Sequence, residues 1–186
     1  MRGEFPATNI LVELESDDLL PAILFRTSRR QCDIDLEKLE LRSDCGNSAA
    51  QREALQSEIE AVIAKYGFDP DLIWKHPQCH ALLEVGAGAH HAGQLLAWRL
   101  LLEELMSRGV LRLMIATGTV AAGVDFPART VIVTAHSKRG SDGFKVLSAS
   151  EFQQMSGRAG RRGKDTVGFC IIAPGAFSDA RVLAEV

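Results

Sequence analysis

The segment Gln154-Met155-Ser156-Gly157-Arg158-Ala159-Gly160-Arg161-Arg162-Gly163 gathers three arginines and three glycines within one short stretch. Arg158 and Arg161 stand three residues apart, so in a helical turn both point the same way. Planar guanidinium groups match phosphate oxygens in geometry and charge. Glycines let a backbone, or a facing domain, come close. Two fixed arginines therefore suit the stabilisation of charge on a transferring phosphoryl group. A solvated basic turn would not need three glycines at this spacing.

Three other segments carry candidate chemistry. In residues 116–128, a Thr117-Gly118-Thr119 turn follows a predicted strand and precedes a short helix. Backbone N–H groups at such a helix start favour phosphate, although a plain helix cap would use the same residues. In residues 23–32, an apolar run leads to Ser28-Arg29-Arg30. Arginine is disfavoured at the positive end of a helix. Arg29 and Arg30 thus read either as a solvated first turn or as partners of an anion. The third segment is His90-His91-Ala92-Gly93, with His76, Cys79 and His80 upstream. His76 and His80 have helical spacing, but no fourth ligand follows at the spacing of a zinc site, so no metal is expected. His76, Cys79 and His80 read as packing residues. Gly86-Ala87-Gly88 lacks the third glycine of a dinucleotide loop.

The elements that position these segments follow from pattern. Residues 21–25 are a short apolar run, and 111–116, 129–134 and 167–172 contain others, all reading as buried strands. Residues 86–91 form a small-residue strand. Ser28 caps a helix from Arg29. Between 33 and 85 the pattern is helical, with Leu55, Ile59, Val62 and Ile63 on one face, a break at Gly67 and Pro70, and a second stretch over 71–83. A helix over 94–108 has Leu95, Trp98, Leu102 and Leu105 as its buried stripe and ends at Gly109. Ser148 and Glu151 fit a capping box that opens a helix to Ser156. Residues 175–185 read as a terminal helix. Strands that are apolar throughout and alternate with helices predict an α/β fold, its mostly parallel sheet covered on both faces. In such sheets ligands sit at the carboxyl ends of the strands.

Composition bounds the rest. The 186 residues are 46% hydrophobic and 24% charged with net charge −3, which fits one globular domain and gives no global basic field. Cys32, Cys45, Cys79 and Cys170 form no CxxC pair and read as reduced thiols. No run approaches the roughly 20 apolar residues of a membrane span, and residues 1–5 lack a signal-peptide core. The expectation is a soluble, cytoplasmic protein.

Residues 154–163 resemble motif VI of superfamily-two helicases, the QxxGRxGR signature, and residues 116–128 resemble motif V, here ATGTVAAGVDFPA. Residues 23–32 are similar to motif IV, and His-His-Ala-Gly is typical of the Ski-like (superkiller-type) DExH branch. The resemblance covers about residues 20–175. It implies a RecA-like three-layer sandwich forming a single C-terminal motor domain over 1–186, with a helical insertion at about 33–85. It also implies site roles. Gln154, Arg158 and Arg161 would face the γ-phosphate of ATP across a cleft, with Arg161 as the arginine finger. Gly123 and Asp125 would lie at the nucleotide. Thr117, Gly118, Thr119, Ser28, Arg29, His90 and His91 would hold a single strand. The chain has no GxxxxGK[ST] loop and no Asp-Glu-x-His run. ATP and Mg2+ would accordingly be held by a first RecA-like domain absent from this chain, which alone is expected not to hydrolyse ATP. The helical insertion and Arg161-Arg162-Gly163 favour RNA over DNA. A DNA helicase or translocase of the same family and a non-enzymatic docking module are the alternatives.

Overall fold

The computed structural model describes residues 6–118, 127–134, 137–140 and 143–173. Its centre is a sheet of five parallel strands: β1 (Ala22–Arg26), β2 (Ala87–His90), β3 (Leu113–Thr117), β4 (Thr130–Val133) and β7 (Phe169–Ile172), in the order β2-β3-β1-β4-β7. The other two strands, β5 (Ser137–Gly140) and β6 (Gly143–Val146), form a separate antiparallel hairpin. Seven α-helices complete the described residues: α1 (Ala7–Ser16), α2 (Arg29–Glu40), α3 (Ala49–Tyr66), α4 (Pro70–Trp74), α5 (Cys79–Val85), α6 (Leu96–Arg108) and α7 (Ala149–Ser156). Among the described residues a single 3-10 turn spans Ser43–Cys45.

Strand side chains alternate between two cores, one on each face of the sheet. Ala22 and Leu24 of β1 join Leu113, Ile115 and Ile132 in a core closed by Leu11 and Leu14 of α1 and Leu36 and Leu39 of α2. Ile23 and Phe25 turn the other way and join Met114, Val131 and Val133 beneath Trp98, Leu102 and Leu105 of α6 and Met155 of α7. Every residue of β1, β2, β3 and β4 is buried, as expected of parallel strands covered on both faces. This is the three-layer α/β sandwich that the sequence predicts.

Between β1 and β2 the chain is helical, and the helices do different work. α2 lies on the sheet. α3 packs its Leu55, Ile59, Val62 and Ile63 stripe toward α6, with a complete Ser48–Gln51 capping box at one end and Gly67 in the left-handed conformation at the other. Ser28 caps α2, its hydroxyl oxygen accepting from the Gln31 N–H at 3.2 Å.

Several expectations need correction. The stretch 71–83 is two helices, α4 and α5, separated by a turn at 75–78 that contains Pro77. Leu95 is 51% exposed because it is the cap of α6 with an extended backbone, which takes its side chain off the buried stripe. Gly86 belongs to the cap of α5 rather than to β2, with φ +69°. β3 and β7 begin two residues later than expected, at Leu113 and Phe169. α1 and the β5–β6 hairpin were not anticipated. The expected short helix at 120–122 and the terminal helix at 175–185 lie outside the described residues.

Candidate functional site

β2, β3 and β1 end side by side. Arg26 is level with Thr117, and His90 with Ala116. The loops after these strands therefore share one rim: Thr27 to Arg29, Gly118, and His91 to Gly93. Ser28, Arg29 and Arg30 are exposed there, Thr117 is buried at the end of its strand, and Gly118 is half-buried. Thr119, Gly123 and Asp125 lie outside the described residues.

His90 and His91 are 2% and 4% exposed, so their rings act inward. His90 Nε2 lies 2.7 Å from a carboxylate oxygen of Glu103 on α6. His91 faces the opposite layer, with Nε2 3.0 Å from Asp33 Oδ1 on α2. The Gly93 N–H donates to His91 Nδ1 at 3.1 Å, so Nε2 carries the proton and donates to Asp33. Asp33 Oδ1 also accepts from the side-chain amides of Gln78 at 2.8 Å and Gln94 at 3.3 Å. Arg29 Cδ lies 3.6 Å from where a β-carbon of Gly93 would stand, which places its stem along the same turn.

His76, Cys79 and His80 serve separate ends. His76 is buried and stacks on Trp98 at 3.8 Å and 8°, and burial lowers its pKa. Cys79 is buried and its thiol pKa is raised by burial. His80 is exposed instead of packed, and meets Glu40 at 2.5 Å.

The arginine segment is built onto β4. Ser148 and Glu151 close the capping box of α7. The chain then leaves the helix and pairs with Ala128, two residues before β4: the Ala128 N–H donates to the Arg158 carbonyl at 3.0 Å, and the Gly160 N–H to the Ala128 carbonyl at 2.7 Å. Gly160 has φ +90°, a conformation that favours glycine. Its neighbour Gly168 is required for a different reason: a β-carbon there would stand 2.4 Å from the Ala159 carbonyl carbon and the Gly160 nitrogen. Gln154 is exposed, with its amide 3.4 Å from Ser150 Oγ. Arg158 is half-buried and Arg162 exposed.

Arg161 is half-buried and paired with Asp165 by two parallel hydrogen bonds of 2.8 Å each. The pair raises the Arg161 pKa and holds the Asp165 carboxyl at about 2, chiefly through those side-chain bonds. Arg161 Nη1 also lies beside Gly109, at the C-terminus of α6, an end that favours cations.

α7 and its turn touch both ends of the segment 118–128. A β-carbon on Gly118 would stand 2.4 Å from Met155 Cε, while Arg158 and Gly160 pair with Ala128. Gly118 and Ala128 thus both pack against α7 and the arginine segment. Sequence reasoning missed Asp33, Glu103 and Asp165. For Asp165 a signal was present, an acid four residues after Arg161.

A five-stranded parallel sheet covered on both faces by helices, with an exposed arginine at its carboxyl-end rim and an arginine-glycine turn docked beside β4, is a RecA-like α/β domain. The comparisons with known proteins agree. The chain is 36% identical over 184 residues to the DExH-box ATP-dependent RNA helicase DExH15, chloroplastic, of Arabidopsis thaliana, covering 96% of this chain and 15% of that protein. It is 34% identical to the antiviral helicase SKI2 of Saccharomyces cerevisiae, over 86% of this chain and 12% of the relative. It is also 34% identical to the probable helicase HelY of Mycobacterium tuberculosis, over 88% and 18% respectively. No family model matches. The chain is therefore a Ski-like superfamily-two helicase domain, and it spans less than a fifth of the length of these relatives.

Proposed function

We propose that this chain is the second motor domain of an ATP-dependent helicase that acts on single-stranded nucleic acid, RNA in preference to DNA. The observation that carries the reading is the packing of α7. Through Met155 it meets Gly118 at the end of β3, and the residues that follow it, Arg158 and Gly160, pair with Ala128. A displacement of the arginine segment would be transmitted to the strand-binding rim by direct contact.

In this reading Gln154, Arg158 and Arg161 meet the γ-phosphate of ATP held, with Mg2+, on a first RecA-like domain, and Gly123 and Asp125 lie at the nucleotide. The residues present fit an anion: within 158–165 four cations, Arg158, Arg161, Arg162 and Lys164, stand against one acid, Asp165, which pairs with Arg161. Bound ATP supplies the phosphoryl group; the arginines supply fixed positive charge where negative charge develops. Thr117, Gly118, Thr119, Ser28 and Arg29 hold the strand backbone, with His90 and His91 supporting the rim from inside. Such binding weakens with salt. One observation supports RNA: the Arabidopsis relative is named an RNA helicase. A cytoplasmic site of action belongs to the same proposal. Among the described residues no helix is long and apolar enough to cross a membrane.

The test is ATP turnover by the polypeptide that carries this domain together with an ATP-binding first domain. Single-stranded RNA should stimulate it. Stimulation by single-stranded DNA alone would reverse the substrate preference, and no stimulation by either would favour a docking module.

A further inference from the structure

We propose that Asp33 is a positioning residue of the strand-binding rim: it holds the His91–Gly93 turn beside Arg29 without touching the strand itself. The inference rests on the rim reading above. It begins with topology. The Ser28–Arg29 loop follows β1 and the His91–Gly93 turn follows β2, yet β3 lies between those strands. The sheet sets where each loop starts, through β3, but the two loops share no sheet hydrogen bonds, so any direct link between them comes from side chains.

Asp33 sits in the second turn of α2, four residues after Arg29. Its Oδ1 accepts from His91, Gln78 and Gln94 together. Gln78 in turn accepts from the Ala89 N–H of β2 at 3.4 Å. His91 accepts from Gly93 through Nδ1 only while its proton stays on Nε2, and Asp33 is the acceptor that keeps it there. One carboxylate oxygen thus sets the tautomer, the tautomer sets the turn, and the turn packs on the Arg29 stem. None of these groups needs to reach a phosphate for the rim to depend on them.

The charge of Asp33 gives the proposal a distinguishing sign. An acid near a nucleic-acid surface repels phosphates, so if Asp33 were merely a nearby charge its removal would tighten binding. If it positions the rim, removal weakens binding even though the protein becomes more positive.

The experiment measures binding of the 186-residue chain to an end-labelled oligouridylate by fluorescence anisotropy at low and moderate salt, beside nitrogen NMR of the His91 imidazole. Wild type should bind with salt-sensitive affinity and show His91 as the Nε2–H tautomer. Asp33→Ala should weaken binding about three- to tenfold, the range expected for losing one or two hydrogen bonds, and should shift the tautomer signal. Asp33→Asn keeps an acceptor oxygen and should restore both, which separates positioning from misfolding. Binding by Asp33→Ala that equals or exceeds wild type, or an unchanged His91 signal, overturns the proposal and leaves the rim reading standing. Failure of wild type to bind overturns the rim reading and the proposal with it.

Discussion

Arg161 and Asp165 meet edge to edge: Nε and Nη2 each donate at 2.8 Å, one to each carboxylate oxygen, and the Arg161 backbone N–H donates to Oδ2 at 2.9 Å. Asp165 fixes both the rotamer of Arg161 and the turn that presents it. Removing the carboxylate in Asp165→Ala leaves a half-buried guanidinium without these bonds and should lower unfolding free energy by about 2 kcal/mol. Urea denaturation of the variant beside wild type measures this.

The same pair gives an acid limb. The folded-state pKa of Asp165 is about 2, below its ordinary 3.8. A depressed carboxyl stabilises the fold fully above the ordinary value, and this contribution is lost as pH falls from there through about 2. The difference in urea midpoint between wild type and Asp165→Asn should therefore be constant at neutral pH and shrink across that acid window.

His76 acts at higher pH. Burial against Trp98 lowers its pKa below 6.5, with Gln94 and Asp33 opposing the shift. The neutral ring is the form the fold prefers, so its contribution is complete above 6.5 and declines as pH falls below that value. His76→Phe preserves a flat ring and should show a smaller loss of stability than wild type between neutral and mildly acid pH, read as thermal midpoints in matched buffers.

How much of this was readable in advance depends on where the partners lie. The strands were legible because buried parallel strands are apolar on both faces. The caps at Ser28 and Ser148 were legible because capping is local in sequence. α1 was not: Ile10, Leu11 and Leu14 gain their meaning only by docking against α2 in the tertiary fold. The β5–β6 hairpin was missed because 137–146 shows no apolar alternation. The motif segments could be found by eye, whereas Asp33 could not, since His91 and Gln94 reach it from 58 and 61 residues away.

Gly168 offers a steric test of the arginine segment. A β-carbon there meets backbone atoms of Ala159 and Gly160 at 2.4 Å, and backbone cannot swing aside. Gly168→Ala should destabilise the domain by about 1–3 kcal/mol, the usual cost of overpacking. Gly163→Ala, whose β-carbon would have open space around it, should lose less; it bears only the strain of φ +76°. Equal losses in the two variants would contradict the close approach.

The central claim is that Arg158 and Arg161 complete an ATP site. It is tested most directly by RNA-stimulated ATP turnover in the polypeptide that joins this domain to its ATP-binding partner, comparing wild type with Arg158→Ala and Arg161→Ala. The account predicts that Arg161→Ala, which removes the proposed finger, lowers kcat by about a thousandfold or more while RNA affinity stays within a few fold. Turnover by both variants equal to that of wild type would contradict it.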